Sequence, residues 1–324
     1  MKNIKNYILK SLSIFKIIIN NPIFCKINKI FIIKKKFLLF ICLNYIFIIF
    51  YFKNKNIKVC ICTIGKNENK YIKEYTEYYQ KYGVDKIFLY DNNNLDGEYF
   101  QKIINEYINQ NFVEIKNWRG IKSPQMMIYN DCYNQNYDKY EWLIFNDIDE
   151  FIYLKNYNNI KTFLNEPRFK KCRNIQLNWL MHTDNNFLFY ENRSLLQRFK
   201  EIDPYAKKRK IDKHSNGKSI LRGHISNIKI TNFHCISDKL KACDGFGREN
   251  ENIQKDYEYY YFNHYFCKST EEFIDKLKKG DVYKGTVKGK INKYFSYNKI
   301  TYQKINYIEN EIGVNLSHFK KFIK

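Results

Sequence analysis

Residues 142–151 read WLIFNDIDEF, an apolar run that ends in three carboxylates. Asp and Glu are poor strand formers and are costly to bury unpaired, so folding alone does not explain them. In an extended chain alternate side chains share a face, which places Asp147 and Asp149 together and Glu150 on the opposite side. Two carboxylates at this spacing suit one hard divalent cation, whereas a chance Asp-x-Asp in a solvated turn is the alternative. Their position after a buried strand favours a metal site, with Glu150 outside the ligand set.

The sequence around this stretch alternates between strand and helix patterns. Apolar and amphipathic runs predict strands at 57–63, 86–90, 112–115 and 142–145, and helices at 69–82, 95–110 and 125–135. This order indicates βαβ units around a mainly parallel sheet. Beyond about residue 170 the pattern is weaker, with candidate strands at 174–179 and 220–230 and a helix at 269–279 that opens with a capping box.

Polar clusters follow three of the predicted strands, at Lys66-Asn67-Glu68, at Asp91-Asn92-Asn93-Asn94 and at Asp147-Ile148-Asp149. The carboxyl ends of parallel strands meet at one edge of a sheet, and ligands of open α/β sheets bind there. Three clusters that converge on one edge indicate a site more strongly than any one of them does.

A basic and then an apolar segment precede this pattern. Residues 1–36 contain nine Lys and no Asp, Glu or Arg, and the sixteen residues 37–52 carry no formal charge. As a helix, 37–52 reaches about 24 Å, short of the roughly 30 Å hydrocarbon core, but flanking lysines can extend that reach. We predict an uncleaved membrane anchor that spans the bilayer, with a buried or surface-lying helix as the alternative. The charge bias would translocate the rest of the chain, although lysines after the anchor leave its orientation open.

The net charge limits the classes of partner that the chain can bind, and the cysteine content bears on metal binding and disulfides. The net charge of +23 suits anionic headgroups or nucleotide phosphates, and a Lys-rich solvated surface is the plainer explanation. The sequence has no zinc-finger spacing, RNP motif or basic recognition helix, so we expect no nucleic-acid partner. The nine Cys form no metal-ligand array and cannot all pair within one chain, so we expect free, mostly buried thiols.

An ordered set of short motifs resembles glycosyltransferase family 92, a DUF23-like group within the GT-A fold of nucleotide-sugar glycosyltransferases. The likeness runs from about Lys58 to Lys279, with a weaker tail through Asn298. Its elements are Lys66-Asn67-Glu68, Tyr78, Gly83-Val84, Tyr90-Asp91-Asn92, Gln125, Tyr129, residues 142–151, Trp179, Lys218-Ser219-Ile220, His234, residues 264–269, Glu272, Phe273 and Lys276. No single element is specific, but the ordered set is.

The resemblance implies an α/β fold of the GT-A type, with a mixed, mainly parallel sheet flanked by helices. It also implies a bound Mn²⁺ (or Mg²⁺) and transfer of a sugar from a nucleoside diphosphate donor. By the same resemblance Asp147 and Asp149 are the DxD motif that holds the metal against the diphosphate. His264 matches a late His that completes metal or diphosphate binding, whereas a partly buried His bonded to backbone is the alternative.

The remaining donor-binding residues are expected at the other strand ends. The resemblance places Glu68 and Asp91 near the nucleoside, and Lys66 and Asn92 belong to the same two clusters. Asp91 could instead bond the turn after its strand, and Glu68 could favour the start of a helix.

The family's chemistry is expected to invert the anomeric centre, which requires a general base to deprotonate the acceptor hydroxyl. The sequence does not single out that base. Asp184 and Asp244 follow predicted strands in the acceptor half of the domain and are our two candidates.

These observations predict a basic segment at 1–36, an anchor at 37–52, a GT-A domain at 56–290 and a C-terminal helical tail at 291–324. The expected activity is metal-dependent sugar transfer from a nucleotide-sugar to a glycan or other hydroxyl acceptor, at a membrane. A Golgi-type lumen fits a eukaryotic source, and the cytoplasmic membrane face fits a bacterial one. The alternatives are a non-catalytic anchored module that binds glycans or anions, and a metal-dependent nucleotidyltransferase or phosphohydrolase.

Overall fold

The computed structural model describes residues 57–203, 217–232, 234, 241–249, 256–279 and 286–323. Its strands are β1 (Val59–Gly65), β2 (Lys86–Asp91), β3 (Val113–Asn117), β4 (Trp142–Phe145), β5 (Glu150–Leu154), β6 (Asn174–Met181), β7 (Gly217–Arg222), β8 (Ala242–Cys243) and β9 (Tyr260–His264). Its helices are α1 (Asn69–Lys81), α2 (Gln101–Asn109), α3 (Gln125–Asn136), α4 (Ile160–Leu164), α5 (Leu195–Arg198), α6 (Thr270–Lys278), α7 (Val287–Tyr297) and α8 (Tyr302–Ile312), with 3-10 turns at Pro167–Phe169 and Ser317–Phe322.

The strands form one mixed sheet in the order β3-β2-β1-β4-β7-β6-β9-β5, with β8 beside β6. β1 runs parallel to both β2 and β4, whereas β7 is antiparallel to β4 and β6, and β5 is antiparallel to β9. The predicted mixed sheet flanked by helices is therefore confirmed. Because β1 and β4 end side by side, the polar residues that follow them come together at one edge of the sheet.

Both faces of the central strands are covered, which explains their unbroken apolar sequences. On β1, Val59 and Ile61 pack into the larger core with α1, while Cys60 and Cys62 pack into the smaller core with α3. The predicted tail at 291–324 packs into the larger core as well, since residues of α7 and α8 are buried there.

Several predicted boundaries were wrong. The helix predicted from residue 95 begins at Gln101, because Arg119 binds the carbonyls of Asn94, Gly97 and Glu98 and holds that stretch as a loop. The strand predicted at 220–230 ends at Arg222, and the next residue, Gly223, lies against the backbone of Tyr140, where a Cβ would come within 1.7 Å of the Tyr140 carbonyl oxygen. β5 and β9 were not predicted.

The predicted basic segment 1–36 and the predicted anchor 37–52 lie outside the described residues. Among the helices of the described residues, none is long and apolar enough to cross a bilayer.

The expectation of free cysteines was wrong for four of them. Cys62 on β1 is bonded to Cys132 on α3, and Cys172 is bonded to Cys243 on β8. Alternation along β1 placed the Cys62 side chain on the α3 face, but its partner lies 70 residues away and gave no local signal. Of the described cysteines, Cys60 and Cys267 are free and buried.

Loss of the Cys62–Cys132 bridge should lower stability without changing the fold. The bridge closes a loop of 70 residues, and disulfides typically stabilise a domain by about 2–4 kcal/mol. We expect the double substitution Cys62→Ser/Cys132→Ser to lower the free energy of unfolding in urea by about that amount. A reductant should destabilise the wild type by at least as much and the double variant by less. Equal stability of variant and wild type under oxidising conditions would contradict the bridge.

Candidate functional site

The three carboxylates after β4 lie on a tight turn. The amide of Glu150 donates to the carbonyl of Asp147 at 3.0 Å, so residues 147–150 close a turn and strand alternation does not apply. The Glu150 side chain folds back, and its Oε2 accepts the Asp147 N–H at 3.0 Å. The prediction that Glu150 leaves on the opposite face was therefore wrong. Glu150 is fully buried within the acidic cluster.

Polar side chains from α1 fix this turn from beneath. Asn146 donates to the carbonyl of Glu150 at 2.9 Å and accepts from the Tyr75 hydroxyl at 2.9 Å. The Tyr79 hydroxyl donates to the same Glu150 carbonyl and accepts from the Ile152 amide. All of these groups are buried, so each bond is costly to break and the turn is rigid.

Asp149, Glu150 and His264 form a compact ligand set. Each of the three residues offers one ligand atom, and these atoms lie within 4.8 Å of one another. The β5–β9 register pairs Glu150 with His264, which places His264 Nε2 3.6 Å from Asp149 Oδ1 and 3.8 Å from Glu150 Oε1. Both distances exceed a hydrogen bond. Among the described residues, the buried Glu150 Oε1 and His264 Nδ1 have no hydrogen-bond partner.

Asp147 contacts a different group of side chains from Asp149. Its Oδ2 lies 2.8 Å from the ammonium of Lys218 on β7, and its Oδ1 accepts from Gln125 and Tyr129 on α3. Lys218 is fully buried and also lies 3.7 Å from Glu150. One lysine thus bridges two of the carboxylates, and the compact ligand set does not include the predicted ligand Asp147.

Two further lysines surround Asp149. Lys276 on α6 donates to Asp149 Oδ2 at 3.0 Å, and Lys268 lies 3.6 Å from the same oxygen. The Lys268 ammonium also sits 3.9 Å from the centre of the Tyr71 ring. Lys268 has a backbone φ of +51°, a conformation uncommon for a residue with a side chain. Such conformations persist where the surroundings fix them, and here Lys268 is held between two carboxylates.

The pKa values of the cluster follow from burial and these charges. Burial alone would raise the pKa of Asp149, but Lys276 and Lys268 outweigh it and hold that pKa well below its ordinary value. Burial raises the pKa of Glu150 well above its ordinary value, and Lys218 does not compensate for it. Burial also lowers the pKa of His264, so its imidazole is neutral. Burial thus disfavours the charged form of Glu150, and a divalent cation beside it would favour that form.

The N-terminus of α6 is positioned by a buried ion pair. Ser269 and Glu272 form the predicted capping box, which is confirmed. The Glu272 carboxylate also binds both terminal nitrogens of Arg198, at 2.7 and 2.8 Å, and accepts from the Tyr71 hydroxyl at 2.6 Å. Burial would raise the pKa of Glu272, but Arg198, Ser269 and Tyr71 lower it to about 2. This ion pair fixes the position of the start of α6, and so the position of Lys276 on that helix.

Glu68 lies on the same edge of the sheet, as predicted from its place after β1. Its carboxylate accepts from Lys279 and lies 3.4 Å from Lys268. The Lys66 backbone carbonyl accepts from Lys279 at 2.8 Å, which ties the β1–α1 loop to the end of α6. The four carboxylates of this edge therefore face four lysine ammonium groups, and the edge is close to neutral as a whole.

Asp91 and Asn92 organise the loop after β2. Asp91 accepts from the amide and side chain of Asn93 and forms an ion pair of 2.8 Å with Arg119. The Asn92 side chain donates to the carbonyls of Trp118 and Ile121, each at 2.8 Å. Asp91 therefore bonds the turn after its strand, which was the alternative to a nucleoside contact. That Asp91 and Asn92 contact the nucleoside stays a prediction.

The two base candidates are engaged elsewhere. Asp184 is buried and binds the Tyr294 hydroxyl and the Lys304 ammonium, each at 2.6 Å. Asp244 is buried in a turn, where it accepts from the amides of residues 246 and 248 and pairs with the Arg248 guanidinium. Asp244 follows β8, which pairs with the first residues of β6, whereas His264 pairs with the last one. The structure does not bring Asp244 to the carboxylate turn.

An aromatic wall lies beside His264. The Trp179 ring centre is 4.4 Å from that of His264 and 4.8 Å from that of His234. His234 Nδ1 lies 3.3 Å from the Gly217 carbonyl, and burial together with Lys218 lowers its pKa to about 4. His234 is therefore a neutral imidazole that lies beside a backbone carbonyl.

This arrangement fits a divalent cation. Two carboxylates and a neutral imidazole are ligands that Mn²⁺ accepts, and a cation would satisfy the unpartnered Glu150 oxygen. The sequence did not indicate that Glu150 joins the candidate ligand set or that buried lysines are the counter-charges of the carboxylates. Lys218 and Lys276 were present in the family motifs, but nothing in their local sequence indicates burial beside carboxylates.

Solved structures of low similarity match parts of this chain. TarS of S. aureus in complex with UDP-GlcNAc is 13% identical with a TM-score of 0.37, covering 79% of this chain and 80% of that one. The mannosyltransferase PcManGT from Pyrobaculum calidifontis, in complex with GDP-Man and Mn²⁺, is 10% identical with a TM-score of 0.30, covering 39% and 36%. At these scores neither likeness bears on the ligands of this chain.

Sequence comparison gives a more specific result. A family 92 glycosyltransferase protein of Ricinus communis is 34% identical over 98 residues, and one of Oryza sativa subsp. japonica is 27% identical over 128. These matches cover 30% and 38% of this chain and only 16% and 21% of the relatives' own lengths. The family description "Glycosyltransferase family 92" matches residues 55–316, more than three quarters of the sequence. The resemblance stated above is thereby confirmed, and the chain belongs to glycosyltransferase family 92.

Proposed function

We propose that this chain is a metal-dependent glycosyltransferase that moves a sugar from a nucleoside diphosphate donor to a hydroxyl acceptor. The observation that carries the proposal is the rigid turn of carboxylates beside His264, enclosed by buried lysines. A non-catalytic module would not need to pay for so many buried charges, because a solvated lysine surface binds anions without them.

Asp149, Glu150 and His264 would hold the cation, and Mn²⁺ or Mg²⁺ bound there would stabilise the charge of the departing diphosphate. The lysines of α6 and its preceding loop add fixed positive charge at the same place. Lys268, Lys276 and Lys279 line a cavity of about 410 Å³ together with Asn67, Tyr71 and Asn94. Preorganised charges of this kind act on a transition state without reorganisation.

In the proposed reaction an acceptor hydroxyl oxygen forms a bond to the anomeric carbon as the bond from that carbon to the diphosphate breaks. The hydroxyl proton passes to a general base, and the nucleoside diphosphate leaves. Inversion at the anomeric carbon is part of the proposal. The carboxylate of Asp184 is engaged by Tyr294 and Lys304, and we name no base among the described residues.

The proposal predicts donor turnover that depends on a divalent cation. Incubation of the whole chain with a panel of UDP- and GDP-sugars and Mn²⁺ should release nucleoside diphosphate from at least one donor, and EDTA should abolish the release. Release of pyrophosphate or inorganic phosphate would support a nucleotidyltransferase or phosphohydrolase instead. Turnover that is unchanged in EDTA would contradict the metal dependence.

We further propose that the domain works in a lumen of the secretory type. The two disulfides support this, because such bridges persist in oxidising compartments. Asn192 and Asn315 are exposed acceptors in Asn-x-Ser sequences, so a glycosidase should shift the mobility of a protein expressed in a eukaryotic host. Digestion of the domain by protease added outside sealed vesicles would contradict this location.

A further inference from the structure

The three lysines around the acidic cluster differ in how firmly they are held. The side chain of Lys218 is fully buried, and that of Lys268 is 4% exposed. The side chain of Lys276 is 25% exposed although its ammonium lies 3.0 Å from Asp149. Lys276 is therefore the lysine of this group that has room to move without unpacking the domain.

The Lys276 side chain also borders a cavity that it could enter. Its side chain lines the cavity of about 410 Å³ next to the cluster, whose other basic residues include Lys268 and Lys279. Its ammonium lies 4.5 Å from the centre of the Phe266 ring, which the ammonium of Lys293 on α7 approaches at 4.6 Å. An anion in the cavity would lie near several lysine ammonium groups. Of these, the ammonium of Lys276 would move from Asp149 to the anion.

We propose that Lys276 occupies Asp149 as a stand-in cation when no donor is bound, and leaves it for the donor diphosphate. This inference rests on the proposed function. It makes cation binding and diphosphate binding mutually dependent, because the two ligands are coupled through one side chain.

Lys276 and a divalent cation compete for the carboxylate of Asp149. An ammonium at 3.0 Å both uses the lone pairs of the Asp149 oxygen and repels an approaching dication. A diphosphate offers Lys276 a more highly charged partner and so frees Asp149. By linkage, each ligand must then raise the affinity of the protein for the other by the same factor.

The test is Mn²⁺ binding to the whole chain, measured by calorimetry with and without UDP or GDP, and corrected for the Mn²⁺–nucleotide complex measured without protein. We expect Lys276→Met to bind Mn²⁺ about tenfold more tightly than the wild type when nucleotide is absent. Nucleotide should tighten Mn²⁺ binding by the wild type about tenfold more than by Lys276→Met, because only the direct contact of metal and diphosphate couples the two ligands in the variant. Lys73→Met is the control, because Lys73 is an exposed lysine of α1 that pairs with Glu77 and Glu106 and does not line the cavity.

The outcomes separate this inference from the proposed function. If Lys276→Met binds Mn²⁺ no more tightly than the wild type, or keeps the full nucleotide dependence of the wild type, Lys276 is a structural ion pair and the inference fails while the metal site stands. If the wild type and Glu68→Gln, a carboxylate variant outside the ligand set, bind no Mn²⁺ in any condition, the metal-dependent function fails as well. Lys276→Arg, which keeps the charge, should retain the coupling.

Discussion

Asp149→Asn is expected to lower kcat/KM for the best nucleotide-sugar donor by about 10³-fold. The substitution keeps the size of the side chain but removes the charge that would hold a cation beside Glu150 and His264. It also leaves Lys276 and Lys268 without their shared carboxylate. The measurement is the initial rate of nucleoside diphosphate release at several Mn²⁺ concentrations, with circular dichroism to verify folding.

The matched control is Asp275→Asn. Asp275 lies on α6 next to Lys276, but it is exposed and pairs with Lys70 on the surface. Its activity should remain within about twofold of the wild type, because exposed ion pairs contribute little. An Asp149→Asn enzyme that turned over as fast as Asp275→Asn would show that the carboxylate turn does not carry the reaction.

Arg198→Met is expected to lower the free energy of unfolding by about 4 kcal/mol. The side chains of Arg198 and Glu272 are each 1% exposed, so removal of one leaves the other charge buried and unpaired. Replacement of both, as Arg198→Met/Glu272→Leu, should cost less than the single change because no unpaired charge remains. Urea unfolding of the three proteins measures this, and a double variant less stable than Arg198→Met would contradict the explanation.

The same ion pair should make stability depend on pH in a defined direction. The pKa of Glu272 falls from 4.5 to about 2 on folding, so its contribution is present above about pH 4.5 and is lost as the pH falls toward 2. The stability difference between wild type and Glu272→Gln should therefore shrink between pH 6 and pH 3. A constant difference over that range would mean that Glu272 is not held ionised by Arg198.

The parts of the fold that were predictable have local causes. The strand 142–145 and the helix beginning at Ser269 follow from apolar runs and a capping box, which depend on neighbouring residues only. The shared edge for Glu68, Asp147 and Asp149 followed from one topological rule about parallel strands.

The missed parts depend on contacts between distant residues. Glu150 was placed on the wrong face because residues 147–150 form a turn fixed by Asn146 and the tyrosines of α1, and the sequence of the turn does not show this. β9 reads as an ordinary polar and aromatic segment, yet its pairing with β5 brings His264 to Glu150. The burial of Lys218 likewise depends on β7 running antiparallel beside β4.

The central claim is that Asp149, Glu150 and His264 hold the divalent cation that the donor diphosphate needs. Crystals grown with MnCl₂ and UDP or GDP, measured at the Mn absorption edge, test it most directly. The account predicts one strong anomalous peak roughly 2.0–2.6 Å from a carboxylate oxygen of Asp149 and of Glu150 and from Nε2 of His264, with Lys276 on the diphosphate. An anomalous peak at other residues, or nucleotide bound beside an intact Lys276–Asp149 pair with no peak, would contradict it.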